Sequence, residues 1–193
     1  MRVAEVIRKT KETDISLKLN LDGNGDCSIY SEIPFLDHML NSFSKHSGFD
    51  LDFTVKGDIE VDFHHTIEDS GIALGEAFNK ALGDKRGIER FGDVTLPLDE
   101  ALVRVSLDIS GRSYLSFEVD FPRGDDGSNL NPYLFEEFFR GFVNSAKITL
   151  HIDKLKGNNS HHIVEAIFKA FARVLKKAVL ITGKEIPSTK GLL

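Results

Sequence analysis

Two short segments of the chain have nearly the same sequence. His64 to Glu68 reads His-His-Thr-Ile-Glu, and His161 to Glu165 reads His-His-Ile-Val-Glu. If each segment begins a helix, its glutamate follows the two histidines by four and three residues and reaches towards either imidazole. Packing alone would not explain why a pair of histidines with a nearby carboxylate occurs twice. The pattern therefore favours metal binding and predicts a chain that folds as two similar halves.

The sequence around the two segments supports a duplication. When the segments are aligned, residues 36–40 correspond to residues 135–139, with two residues inserted before the first segment. His38 then has Glu137 as its counterpart. Lys169 follows Glu165 by one helical turn, but Ile72 takes its place in the first half. This difference suggests that the second half handles the charge of a substrate.

The hydrophobic pattern predicts that each half consists of strand, strand, helix, strand, helix. In the first half these are a hairpin within residues 3–21, a helix from Pro34 to Gly48, a strand at 50–56 and a helix from the first repeated segment. In the second half they are a strand at 94–109 interrupted near Pro97, a strand at 112–121, a loop at 123–128, a helix at 132–144, a strand at 148–152 and a helix from the second segment.

Two such halves predict an α+β fold. Each sheet would carry two amphipathic helices on one face, so the helices would be buried between the two sheets. We expect a single domain over residues 1–193, built from two similar halves at about 1–90 and 91–193.

Composition narrows the class of protein. Hydrophobic residues are 41% and charged residues 28% of the chain, as in ordinary globular proteins. The net charge of −6 leaves no basic surface for nucleic acid. No apolar run approaches the roughly 20 residues of a membrane helix, and the N-terminus lacks a signal-peptide core. We therefore expect a cytoplasmic protein. Cys27 is the single cysteine, which excludes an intramolecular disulfide and thiolate metal sites.

Imidazole and carboxylate ligands without thiolate suit Mn, Fe, Co, Ni or Zn. The two repeated segments, His38 and Glu137 together offer enough side chains for two ions with four protein ligands each. Adjacent histidines diverge by about 100° on a helix, so each pair would serve two different ions. We therefore expect the ligands of one ion to come from different halves or different subunits, with open positions for substrate.

Three cationic segments suit a phosphate group, because guanidinium forks and hydroxyls satisfy its oxygens. They contain Arg90, Arg112 and the sequence Ser-Thr-Lys-Gly at 188–191. Taken alone, each of these segments is better explained by surface salt bridges.

Several of these motifs, in this order along nearly the whole chain, resemble the imidazoleglycerol-phosphate dehydratase family. They are residues 35–40 (Phe-Leu-Asp-His-Met-Leu), 46–51 (His-Ser-Gly-Phe-Asp-Leu), 64–69 (His-His-Thr-Ile-Glu-Asp), 97–102 (Pro-Leu-Asp-Glu-Ala-Leu), 108–112 (Asp-Ile-Ser-Gly-Arg), 161–170 (His-His-Ile-Val-Glu-Ala-Ile-Phe-Lys-Ala) and 188–191 (Ser-Thr-Lys-Gly).

The resemblance implies a monofunctional lyase that converts imidazole glycerol phosphate to imidazole acetol phosphate in histidine biosynthesis. It also implies two Mn ions per active site and a homo-oligomer of 24 subunits built from trimers, with active sites between subunits. The metal ligands it implies are His38, His64, His65, Glu68, His161, His162 and Glu165. The remaining ligand position, often histidine in the family, is Glu137 here. The substrate contacts it implies are Glu12, His46, Arg90, Arg112, Lys169, Ser188 and Lys190.

The implied reaction needs strong electronic assistance, because the proton at C2 of the substrate is not acidic and hydroxide at C3 is a poor leaving group. Two metals on the substrate imidazole would stabilise its imidazolate form. A carboxylate should act as base, and Glu165 and Glu12 are the two candidates. The residues alone also allow a di-metal hydrolase, which would activate water, and a metal-storage shell, which would need no phosphate-binding cations.

Overall fold

The computed structural model describes residues 1–122 and 131–193. The first six elements are β1 (Val3–Lys9), β2 (Thr13–Asn20), β3 (Cys27–Tyr30), α1 (Pro34–Ser47), β4 (Asp50–Gly57) and α2 (His64–Leu82). The next six are β5 (Phe91–Leu98), β6 (Ala101–Asp108), β7 (Tyr114–Glu118), α3 (Leu134–Ala146), β8 (Thr149–Lys156) and α4 (Ser160–Ala178). The loop predicted at 123–128 lies outside the described residues.

The two sets of elements form two sheets with the same topology. The strand orders are β1-β2-β4-β3 and β5-β6-β8-β7. In both sheets the first three strands of the order are antiparallel, and the last pair is parallel. The α+β fold of two similar halves, predicted from the repeated segments, is confirmed.

The predicted element order of each half was wrong by one strand, because three strands precede the first helix and not two. β3 was missed because it is short and mostly exposed, so it shows no apolar alternation. The predicted strand at 94–109 is two strands. Their turn is at Asp99-Glu100 and not at Pro97, which lies inside β5. β5 is an edge strand, where proline is tolerated because it lacks only an N–H that no neighbouring strand needs.

The helices follow the sequence more closely. α1 begins at Pro34, which suits the first turn because its missing N–H would have no intrahelical partner there. The helix ends at Ser47 and is capped by Gly48, whose φ of 77° is in the left-handed region that favours glycine. α3 begins at Leu134, two residues later than predicted. α4 is capped by the side chain of Asn159, which accepts a hydrogen bond from the His162 backbone N–H.

The core lies between the two sheets and is filled by all four helices. α2 packs against α3 and α1 packs against α4, so each helix pair joins the two halves. Fully buried phenylalanines occupy the centre: Phe135, Phe138, Phe139, Phe142, Phe168 and Phe171. Where α2 crosses α3, Gly71 lies directly against the backbone carbonyl of Phe138. Among the described helices, none is both long and apolar enough to cross a membrane.

Candidate active site

The packing of α1 against α4 brings a histidine of the first half to the repeated segment of the second half. Ligand atoms of His38, His161 and Glu165 all lie within 4.8 Å of one another. Glu165 Oε2 is 3.3 Å from Nε2 of His161 and 3.7 Å from Nε2 of His38. Within residues 1–122 and 131–193, this is the one group of three potential ligands that meets so closely. Two imidazoles and a carboxylate fit a divalent transition metal.

Glu165 is mostly buried, and its two oxygens face different partners. Oε2 faces the histidines, whereas Oε1 is 2.8 Å from Nζ of Lys169. Burial raises the pKa of the Glu165 carboxyl, but the hydrogen bond and charge of Lys169, with the charges of His38 and His161, outweigh it and leave the pKa below its ordinary value. The carboxylate is therefore held ionised, as a metal ligand must be.

His46 lies on α1, near the carboxylate of Glu165. Burial lowers the pKa of His46, and the positive charges of Lys169 and Arg173 lower it further. A neutral imidazole and an ammonium group thus lie beside the histidine–carboxylate cluster. In the first half Ile72 occupies the position equivalent to Lys169. Its side chain packs against Gly141 of α3.

The first repeated segment forms a smaller group at the start of α2. His64 Nε2 is 3.5 Å from Glu68 Oε2, across one helical turn. Glu137, the counterpart of His38, lies on α3, the helix that packs against α2. Its carboxylate is 3.4 Å from Nε of Arg140.

The two histidines of each pair contact different carboxylates. The two rings are nearly perpendicular, at 85° in the first pair and 87° in the second. His65 and His162 each contact a carboxylate through Nδ1. The Nδ1 atom of His65 is 3.0 Å from Asp58, and that of His162 is 2.7 Å from Glu100. Sequence reasoning gave no role to either carboxylate, although Glu100 lies in one of the motifs used above and Asp58 directly follows a strand.

Glu12 lies in the turn between β1 and β2 and is half exposed. Its backbone N–H donates to Thr10 Oγ1, and its carbonyl accepts from the Asp58 N–H at 3.1 Å. The Glu12 carboxylate is 3.9 Å from Nε2 of His65. Glu12 is therefore presented by a hydrogen-bonded hairpin turn beside the first repeated segment.

Four residues expected to contact substrate line one cavity of about 430 Å³. They are Arg90, Arg112, Ser188 and Lys190. The Arg90 guanidinium is fixed by a bidentate pair with Asp108, at 2.6 and 3.0 Å, and by the carbonyl of Pro187 at 2.8 Å. The last contact ties the C-terminal segment to the strand that carries Asp108. A cavity with two guanidinium groups, an ammonium group and a hydroxyl suits a phosphate.

The fold and site define an α+β protein with a histidine–carboxylate cluster and a cavity lined by cationic side chains. The family model for imidazoleglycerol-phosphate dehydratase matches residues 31–175. An imidazoleglycerol-phosphate dehydratase from Caldicellulosiruptor bescii is 59% identical over 192 residues, with 100% of this chain and 98% of the relative covered. One from Methylococcus capsulatus is 56% identical over 195 residues, again with 100% of this chain and 98% of the relative covered.

Solved structures agree with these relatives. The imidazoleglycerol-phosphate dehydratase from Staphylococcus aureus is 38% identical, with 93% of this chain and 99% of that chain covered at a TM-score of 0.83. The Pyrococcus furiosus enzyme is 37% identical, with 97% and 100% covered at a TM-score of 0.82. The chain belongs to the imidazoleglycerol-phosphate dehydratase family, the hydro-lyases of histidine biosynthesis.

Proposed function

We propose that the protein dehydrates imidazole glycerol phosphate to imidazole acetol phosphate at a di-metal site shared between subunits of a homo-oligomer. The observation that carries the proposal is the group of His38, His161 and Glu165, which unites ligands of both halves within 4.8 Å. Family membership supplies the reaction, and this group supplies a place for one ion. A cytoplasmic location fits a biosynthetic enzyme of this kind.

His38, His161 and Glu165 would hold one ion, and His64, Glu68 and Glu137 would hold the other. The absence of thiolates and the presence of three carboxylates favour a hard ion such as Mn. When bound, two ions would stabilise the imidazolate form of the substrate ring, whose electrons would help to expel the C3 hydroxyl. Loss of the C2 proton would then complete the elimination.

His65 and His162 would complete the ligand sets of ions held by neighbouring subunits. Their rings are nearly perpendicular to that of the first histidine of each pair, and their Nδ1 atoms already contact carboxylates. Only Nε2 is then left to bind a metal. This geometry supports active sites between subunits, as in an assembly of 24 subunits built from trimers.

The phosphate of the substrate would lie in the cavity lined by Arg90, Arg112, Ser188 and Lys190. Arg90 is already held by Asp108, so its guanidinium needs little reordering when substrate binds. Lys169 and His46 would contact the polar middle of the substrate. Holding both ends in place supplies the positioning that a slow elimination needs.

Two carboxylates are candidates for the base that removes the C2 proton. The geometry favours Glu12, because both oxygens of Glu165 already face partners, namely Lys169 and the two histidines. In the elimination the base takes the C2 proton, the C3 hydroxyl leaves as water after protonation, and the resulting enol becomes the ketone. Glu165 would serve mainly as a metal ligand.

The decisive assay gives imidazole glycerol phosphate to the manganese-loaded protein and follows both the acetol product and free phosphate. Formation of the acetol product supports the lyase, whereas release of phosphate supports a di-metal hydrolase. Tight metal uptake without turnover would support metal storage. The cavity with its arginines argues against storage, since a metal store needs no phosphate site.

Two variants separate the roles of the carboxylates. Glu12→Gln should keep its bound metal and its substrate affinity while kcat falls by about 10²–10⁴-fold, the usual contribution of a general base. Glu165→Gln should lose metal as well as turnover. Full activity in either variant would remove that residue from the mechanism.

A further inference from the structure

The second histidine of each pair is held by a carboxylate, but the two carboxylates come from different places in the repeat. Asp58 lies in the connection between β4 and α2, whereas Glu100 lies in the turn between β5 and β6. The strand orders of the two sheets are the same, so β6 is the counterpart of β2. Glu100 immediately precedes β6 and Glu12 immediately precedes β2. The repeat counterpart of Glu100 is therefore Glu12 and not Asp58.

An ionised carboxylate only accepts hydrogen bonds, so the proton of each neutral ring must be on Nδ1. The lone pair is then on Nε2, which is the nitrogen left to bind a metal. A hydrogen bond from the other ring nitrogen to a carboxylate is the usual way in which proteins fix the orientation of a histidine ligand.

We infer that Asp58 and Glu100 are positioning residues that orient His65 and His162 for metal binding, and that Asp58 replaces Glu12 in this role. The inference rests on the proposed function, because it assumes that both histidines bind metal. In the second half the glutamate of the hairpin turn, Glu100, is already hydrogen-bonded to His162. In the first half the loop before the helix supplies Asp58 instead, and Glu12 is left free for the substrate.

The lengths of the connections explain how the exchange is possible. The loop between β4 and α2 spans residues 58–63, whereas the loop between β8 and α4 spans only residues 157–159. The longer loop begins with Asp58, whose carboxylate contacts Nδ1 of His65 at 3.0 Å. Glu12 is displaced to the other edge of the ring, where its carboxylate is 3.9 Å from Nε2.

The inference can be tested by titrating metal-free, full-length protein with MnCl₂ in a calorimeter. Asp58→Ala and Glu100→Ala should each bind manganese about 10–100-fold more weakly than the wild type, the usual effect of losing an outer partner of a ligand. Asp58→Asn and Glu100→Gln keep an oxygen acceptor for the ring N–H and should recover most of the affinity. Such recovery would not follow if the carboxylates acted only through their charge.

Glu12→Ala is the matched control, because Glu12 is the repeat counterpart of Glu100. It should bind manganese as the wild type does, although its turnover is lost. Asp99→Ala is a second control, since Asp99 is an exposed neighbour of Glu100 at 3.9 Å from Nε2 of His162. Weakening by Glu12→Ala as large as that by Glu100→Ala would overturn the exchange of roles.

Loss of structure must be separated from loss of orientation. Glu100 also accepts from the backbone N–H of Asn159 at 3.0 Å, so its removal can loosen the start of α4. Among the described residues, Asp58 accepts side-chain hydrogen bonds from His65 alone, which makes Asp58→Ala the cleaner variant. Thermal unfolding of the metal-free variants reports folding directly. A lower melting temperature with unchanged manganese affinity would show a structural role and overturn the inference.

The wild-type titration distinguishes this inference from the proposed function. If the wild type binds no manganese, the proposed metal site is refuted, and the inference is refuted with it. If the wild type binds manganese and both alanine variants match it, only the inference is overturned.

Discussion

Nζ of Lys169 lies 2.8 Å from Oε1 of Glu165, one helical turn earlier on α4. The other oxygen of Glu165 faces His38 and His161. Lys169 therefore orients a carboxylate of the histidine–carboxylate cluster and also keeps it ionised. The repeat counterpart of Lys169 is Ile72, so only one of the two similar helices has this arrangement.

Replacing Lys169 should change the pH dependence of metal binding. In Lys169→Met the opposing charge is lost, burial then dominates, and the pKa of the Glu165 carboxyl rises. Because a carboxylate must be ionised to bind metal, manganese should be released at a higher pH than from the wild type. At neutral pH the affinity should fall by up to about 10–100-fold. Manganese titrations between pH 5 and 8 measure both effects. Lys169→Arg keeps the charge and is the control; the same release pH in all three proteins would contradict the argument.

The cavity lined by Arg90 and Arg112, proposed to hold the phosphate, gives a separate prediction for Arg112. Its guanidinium lines the cavity, whereas Arg90 is tied to Asp108 and Pro187 and also holds the fold. Arg112→Gln should raise KM by about 10–100-fold with a smaller change in kcat, as expected when binding common to substrate and transition state is lost. Steady-state kinetics measure the split. Arg86→Gln, at an exposed arginine that pairs with Asp84 and Glu185 and does not line the cavity, is the control. A large loss of kcat at constant KM would place Arg112 in the chemistry and not in phosphate binding.

Gly71, where α2 crosses α3, should not tolerate replacement by a larger residue. A Cβ atom at Gly71 would lie 2.1 Å from the backbone oxygen of Phe138, so the helices must move apart to accept it. Gly71→Ala should lower the free energy of unfolding by about 1–3 kcal/mol, the usual cost of overpacking a core. Urea denaturation measures the difference. At Gly183 a Cβ atom would meet nothing within 4 Å, so Gly183→Ala should be close to neutral. Equal stability of the two variants would mean that the crossing is looser than described.

Asp50 predicts an acid-sensitive turn. Its carboxylate accepts hydrogen bonds from the backbone N–H groups of Asn24, Gly25 and Asp26, at 2.8 to 3.1 Å. The backbone hydrogen bond from Asn24 is the largest of the effects that lower the pKa of Asp50. A carboxyl whose pKa is lower in the folded state stabilises the protein above its unfolded pKa, and this stabilisation is lost as the pH falls through the folded value.

Asp50→Ala should therefore melt at a lower temperature than the wild type at pH 7, and the difference should shrink as the pH falls below 4. Thermal unfolding from pH 7 to pH 3 measures it. Asp52→Ala, on the exposed side of the same strand, is the control. A difference that stays constant over this range would show that the turn depends on packing and not on charge.

Much of the fold could be predicted from periodicity. The repeated histidine segments, the apolar stripes of α1 and α4, and the alternation in β2 are local patterns, and they led to the duplicated α+β fold. The missed elements lack such patterns. β3 is a short edge strand with little buried surface, and the turn at Asp99-Glu100 contains no glycine or proline to mark it.

The sequence by itself determined the kinds of group in the site and their spacing along each helix. Imidazoles and carboxylates one turn apart are a local property of residues 64–68 and 161–165. Which groups meet was decided only by the tertiary structure. His38 reaches His161 because α1 packs against α4 across the two halves, and Glu100 reaches His162 because a hairpin turn lies beside the start of a helix. Contacts between distant segments depend on how helices and sheets pack, and no local spacing encodes them.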